Sequence, residues 1–150
     1  MNKINIAIVI TIIALIVSSV HGEEGLVAHY AFDEGSGSVV KDISGNGNNG
    51  TIHGAEFVKL KEGYALKFDG VDDYVDCGKG PSLDITDVIT IEAWVYPEEI
   101  PTVPSEWLIV GKTYDNCALC YYMDGNCWWY TSGGGGDNAC VAKVSVGQWH

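Results

Sequence analysis

Three carboxylates crowd into one short stretch, Phe68-Asp69-Gly70-Val71-Asp72-Asp73-Tyr74-Val75. An apolar strand end, Ala65-Leu66-Lys67-Phe68, runs into an Asp-Gly turn and re-emerges at Tyr74-Val75, which is how a tight corner between two core strands reads. Asp69, Asp72 and Asp73 are thereby held within one turn. Hard oxygens at that density either sit solvated at a corner or hold a cation such as calcium. A second oxygen-rich stretch comes earlier. Asp42, Ser44, Asn46 and Asn48 fall at every second position of a loop rich in Gly and Asn, so their oxygens can converge as in calcium loops. No acidic residue closes the far end as in an EF-hand, and Asp, Asn and Gly are equally what any turn needs.

A different chemistry is carried by Tyr121, Tyr122, Trp128, Trp129 and Tyr130, which flank Asp124-Gly125. Planar rings with one polar tip stack well on sugars, and they also fill sandwich cores. If Asp124-Gly125 is a two-residue turn, Tyr122 faces Cys127 and Cys120 faces Trp129. Leu119, Tyr121, Trp128 and Tyr130 then form the core face, and Tyr122 with Trp129 is the candidate carbohydrate platform on the other. Catalysis has little to build on. The best strand, Val88–Tyr96, carries a single carboxylate, Glu92, where retaining glycosidases need two about 5–5.5 Å apart, and the histidines are scattered.

Five cysteines are present: Cys77, Cys117, Cys120, Cys127 and Cys140. After a secretory leader, disulfides are the default, and at least one bridge is expected within Cys117, Cys120, Cys127 and Cys140. The two-residue turn makes Cys120 and Cys127 diagonal neighbours about 7–8 Å apart, beyond ordinary disulfide reach, so that bridge needs a bulge or a longer loop. Cys127–Cys140 across the glycine run is the competing pairing, and Cys77 is the candidate odd thiol. A four-thiolate zinc site has the wrong spacing, and no βαβ pattern supports a redox CxxC.

These groups need elements to position them. Met1-Asn2-Lys3 is a short basic head, Ile4 to Val17 is almost wholly apolar, and small or weakly polar residues follow up to Gly22. This pattern is a secretory signal spanning residues 1–22, or an N-terminal anchor if uncleaved, and either places the body, residues 23–150, outside the cell. Twenty acidic residues against eight basic ones, none of them arginine, exclude a phosphate-neutralising surface and so a nucleic-acid partner. That acidity suits cations or neutral ligands, and equally plain solubility. The body shows almost no helical period. Short alternating runs predict strands at Leu26–Phe32, Val39–Val40, Gly50–His53, Tyr64–Phe68, Val88–Tyr96, Trp107–Gly111 and within Leu119–Tyr130. The fold class is all-β, with two antiparallel sheets face to face.

Four motifs in order, GLVAHYAFDEGSGSVVKDISGNGNNGTI, ALKFDGVDDYVDCG, ITIEAWVYP and VGQWH, resemble the laminin G-like, concanavalin A-like jelly-roll domains of secreted and surface proteins. The resemblance runs from about Gly25 to His150. It implies a two-sheet jelly-roll sandwich and a calcium ion between loops at one end, with Asp42 near the Asp69 corner. The family continues with further strands after its Trp-His, so a C-terminally incomplete domain is expected. The expected function is a secreted or cell-surface, non-catalytic module binding carbohydrate or an extracellular protein. The alternatives are a structural or interaction domain of a larger surface protein, or an accessory domain of a glycoside hydrolase. A membrane partner is expected only through an uncleaved leader.

Overall fold

The computed structural model describes residues 6–9, 25–85, 89–100, 106–112, 118–122, 125–130 and 139–150, with backbone alone at 6–9, 106, 118, 122, 128–130 and 139–142. The strands are β1 Ile6–Val9, β2 Val39–Val40, β3 Gly50–His53, β4 Glu56–Lys59, β5 Tyr64–Phe68, β6 Tyr74–Asp76, β7 Trp94–Pro97, β8 Glu106–Gly111, β9 Ala118–Tyr122, β10 Asn126–Tyr130 and β11 Ala139–Lys143. All pairings are antiparallel. The described strands form three small sheets, ordered β4-β5-β1-β7, β11-β10-β9-β8 and β2-β3-β6, rather than two large ones. No helix among the described residues is long and apolar enough to cross a membrane.

β3 and β5 form where short runs with β-branched and aromatic residues end in glycine-containing turns, and Gly54, Gly63 and Gly70 all adopt positive φ there. β5 is covered on both faces, because Ala65 and Leu66 are both fully buried. Two apolar clusters result. One gathers Tyr30, Phe32, Val40, Ala55 and Leu66, and the other Val95, Tyr121, Cys127 and Val144. Phe68 packs against both, at the point where β5 enters the acidic corner.

Two expected strands are shorter than their alternation suggests. Leu26–Phe32 keeps the right faces, with Tyr30 and Phe32 buried, but makes only the single bridge Tyr30–Asp42. Its backbone is tied instead to loop side chains, and Phe32 turns out of extended geometry at φ 56°. The strand expected over Val88–Tyr96 is confined to Trp94–Pro97. Ile89–Ala93 precedes it without a ladder partner among the described residues, and Val88 lies outside them. At the same strand, Val95 donates its N–H to His150 O and accepts the His150 N–H, both at 3.0 Å.

The disulfide expectation is corrected: no disulfide is present among the described residues. The β9–β10 register gives the reason. Cys127 stands opposite Tyr121 and Cys120 opposite Trp128, one residue away from the pairing a two-residue turn would set. A one-residue slip moves alternate positions to the other face, so Cys120 and Cys127 take positions on opposite faces of the hairpin. The competing Cys127–Cys140 bridge fails likewise: Cys140 stands opposite Trp128, whose position alternates to the other face from Cys127, and it lies a whole strand away from Cys120, roughly 9–10 Å against a disulfide reach of about 4.4–6.8 Å. Cys117 lies outside the described residues.

Candidate functional site

The glycine-rich loop is organised by one carboxylate. Asp42 Oδ1 accepts the N–H groups of His29 at 3.0 Å and Ser44 at 2.9 Å, and Oδ2 accepts the Asn48 N–H at 2.9 Å. The neighbouring polar side chains reach across to the chain at Leu26 and Val27. Ser44 Oγ donates to Val27 O at 3.1 Å, and Asn46 Nδ2 to Leu26 O at 2.8 Å and Val27 O at 3.1 Å. Asn48, the buried polar residue of the loop, donates Nδ2 to Val27 O and to Ser82 Oγ, both at 2.9 Å. Its carbonyl accepts the Tyr30 hydroxyl. The every-second-residue side chains, through the Asp42 and Ser44 oxygens and the Asn46 and Asn48 amide nitrogens, thus do the work of a β-ladder for a segment that lacks one. Burial pushes the Asp42 carboxyl up, but the bonds from Ser44, His29 and Asn48 outweigh it and hold it below the ordinary carboxylate range.

The acidic corner is arranged differently. Asp69 Oδ1 caps its own turn, accepting the N–H groups of Val71 at 2.9 Å and, more weakly, Asp72 at 3.4 Å. Asp73 Oδ2 accepts the Asp69 N–H at 2.8 Å. Each of the three residues presents one carboxylate oxygen, and these oxygens lie within 4.8 Å of one another. Asp69 and Asp73 are half-buried and Asp72 is exposed. Two unit charges at that separation repel by about 1 kcal/mol even in bulk water, and a divalent cation relieves this. The corner therefore has the donors for calcium, a hard cation that takes carboxylate and backbone oxygens. Asp42 is not a member of this three-residue group.

Sequence reasoning missed the ring pair beside the corner. Strand register sets His53 opposite Tyr74, and their rings stack at 4.4 Å with an interplanar angle of 11°. Tyr74 is 53% exposed and Val71 is 78% exposed, so apolar surface flanks the carboxylates. The nearby turn is close-fitted, since Gly54 has φ 80° and a Cβ there would overlap Asp73 Oδ1. Tyr74 was visible as a neighbour of Asp73, but His53 needed the β3–β6 pairing.

The platform expected at Tyr122 and Trp129 falls on residues whose side chains lie outside those described. Their backbone positions alternate to opposite faces of the hairpin, because Trp129 stands opposite Leu119 in β9, the strand that Tyr122 ends. A separate cavity of about 430 Å³ opens between Ile89–Ala93 and the β8–β10 sheet, lined by Ile91, Ile109, Leu119 and Val144, with Glu92, Cys127 and His150 as its titratable residues. His150 Nε2 accepts the Ser145 N–H at 2.9 Å. Compared with protein-family models, with curated proteins and with solved structures, the chain matches none.

Proposed function

We propose that this all-β domain is a secreted or cell-surface, non-catalytic binding module of laminin G-like kind. In this reading the Asp69–Asp73 corner holds calcium, and the ligand, a carbohydrate or the polar surface of an extracellular protein, docks beside it. The observation that carries the reading is the trio of carboxylate oxygens within 4.8 Å of one another, next to an exposed Tyr74 whose ring is held by His53. A cation there would fix the corner and offer open coordination positions, while the Tyr74 face would take the apolar face of a sugar ring. The jelly-roll kinship rests on the four ordered motifs, and secretion rests on the apolar run before Gly22.

Extracellular calcium sites typically bind at about 10⁻⁴–10⁻³ M. At ~1 mM free calcium and an affinity of about 0.1 mM, linkage gives ~1.4 kcal/mol. The expected result is a melting midpoint a few degrees higher in calcium than in EDTA, with the difference removed by Asp69→Asn. A glycan array probed with the chain in calcium and in EDTA tests the ligand class: retention should require calcium and be lost in Tyr74→Ala. A midpoint insensitive to millimolar calcium sinks the cation site. A calcium shift without any glycan retained leaves the module's partner as protein and its role as structural or adhesive.

A further inference from the structure

A stretch of the apolar N-terminal run is built into the sheet. β1, Ile6–Val9, lies between β5 and β7 and runs antiparallel to both, with Ile6, Ala7 and Ile8 opposite Phe68, Lys67 and Leu66 on one side and opposite Pro97, Tyr96 and Val95 on the other. β5 and β7 do not pair with each other. They are the two walls of a slot one strand wide.

The walls are polarised toward that slot. Val95 exchanges both of its backbone bonds with His150, so by antiparallel alternation Trp94 and Tyr96 turn their N–H and C=O groups the other way, toward position 7 and its neighbours. The same alternation leaves Ile6 and Ile8 to serve Phe68 and Leu66. Without a strand in place these groups lose their partners in mid-sheet, which a fold avoids. The slot is also apolar where it meets the core. The row Leu66–Ile8–Val95 runs from a member of one buried cluster to a member of the other, so the position between them calls for a large β-branched residue. The two walls also touch each other through side chains. Lys67 of β5 and Glu98, just past β7, form an ion pair at 3.1 Å that reaches over the level of Ala7.

We propose that the slot between β5 and β7 is a strand-acceptor site for an extended apolar segment, filled by Ile6–Val9 of the chain's own N-terminal run and able to take the same segment as a separate peptide. Removal of residues 1–22 at a leader-peptidase site and completion of this sheet are then competing fates of one segment. Processing vacates the slot, and an apolar strand supplied in trans refills it by β-augmentation.

The test uses the full chain carrying an inserted protease site after Gly22. In the uncut chain the amides of Leu66, Phe68, Trp94 and Tyr96 should exchange at least about tenfold more slowly than exposed loop amides. After cutting, an excess of isotope-labelled peptide spanning Ile4–Thr11, with a lysine tail for solubility, should displace the native fragment, co-elute with the body and keep those four amides protected. The same peptide with Ile8→Pro, which removes an N–H and fixes φ, should not be retained. Rapid exchange at Leu66, Phe68, Trp94 and Tyr96 in the uncut chain, while the amides of Lys67 and Val95 stay slow, overturns the proposal. So does equal retention of both peptides, or retention of neither.

Discussion

Asp42 is the residue on which the loop depends, because three backbone N–H groups from two separate segments end on its two oxygens. Asp42→Ala leaves all three donors without that acceptor and should cost ~2–4 kcal/mol in chemical denaturation, with Asp42→Asn intermediate. Its carboxyl is held below the ordinary range when folded, so the stability it contributes is present above the unfolded value near 4 and is lost as pH falls through the folded one. Acid titration of stability should accordingly be shallower in Asp42→Asn, and identical acid profiles for the two proteins would count against the hub role. Cys77 offers a second residue-level check. Its thiol is pushed up by burial, the hydrogen bond with Tyr30 working the other way, so little thiolate exists at neutral pH. Iodoacetamide at pH 7.5 should label Cys77 slowly until denaturant is added, as peptide mapping would show. The oxygen spacing of residues 42–48 was legible in the sequence. Its purpose was not, because the groups these side chains serve, at Leu26, Val27 and His29, lie well back along the chain, and spacing within a loop carries no information about them.

Elements whose signals are local were the legible ones. β3 and β5 occupy the spans predicted for them, since alternation and glycine-containing turns lie within a few residues of each other. Alternation at Leu26–Phe32 also reported faces correctly, but a strand needs a ladder partner, and there side chains took that place. In the β9–β10 hairpin the turn length alone sets which residues share a face, so one residue of slip separates Cys120 from Cys127 and Tyr122 from Trp129. Ile6–Val9 lies in a run with no period at all, and a continuous apolar run reads equally as a leader or as a strand covered on both faces. The acidic corner depends on an element contact of its own, the fit of the turn at Gly54 against Asp73. Gly54→Ala forces a side chain into the left-handed region and displaces Asp73 Oδ1, and should cost ~1–3 kcal/mol. It should also shrink the calcium-dependent melting shift while leaving that of Gly78→Ala, a positive-φ turn with open space around it, unchanged. Equal shifts in the two variants would separate the corner geometry from any cation binding.

On the scale of the whole molecule, the described residues form two buried clusters with a slender link between them. Leu66 belongs to the first cluster alone, Tyr121 to the second alone, and Phe68 touches both. β1 supplies the other connection, through the Leu66–Ile8–Val95 row. Phe68→Ala should therefore do more than remove buried area. A large-to-small change at a well-packed aromatic costs about 3–5 kcal/mol, and half-burial places this one toward the lower end. Val40→Ala should cost ~2 kcal/mol, but within a single cluster, because the fully buried Val40 lies outside the β1 row. The two differ in what they do to cooperativity. All five tryptophans lie at or beyond Trp94, so intrinsic fluorescence reports the half that contains the second cluster, whereas far-ultraviolet circular dichroism reports every sheet. In the unmutated chain and in Val40→Ala the two midpoints in urea should coincide, as for a single cooperative unit. In Phe68→Ala they should separate, because the clusters then share only the β1 row. Coincident midpoints in Phe68→Ala would assign the coupling to β1, and in that case Ile8→Pro, which breaks the β1 ladder, should separate them instead.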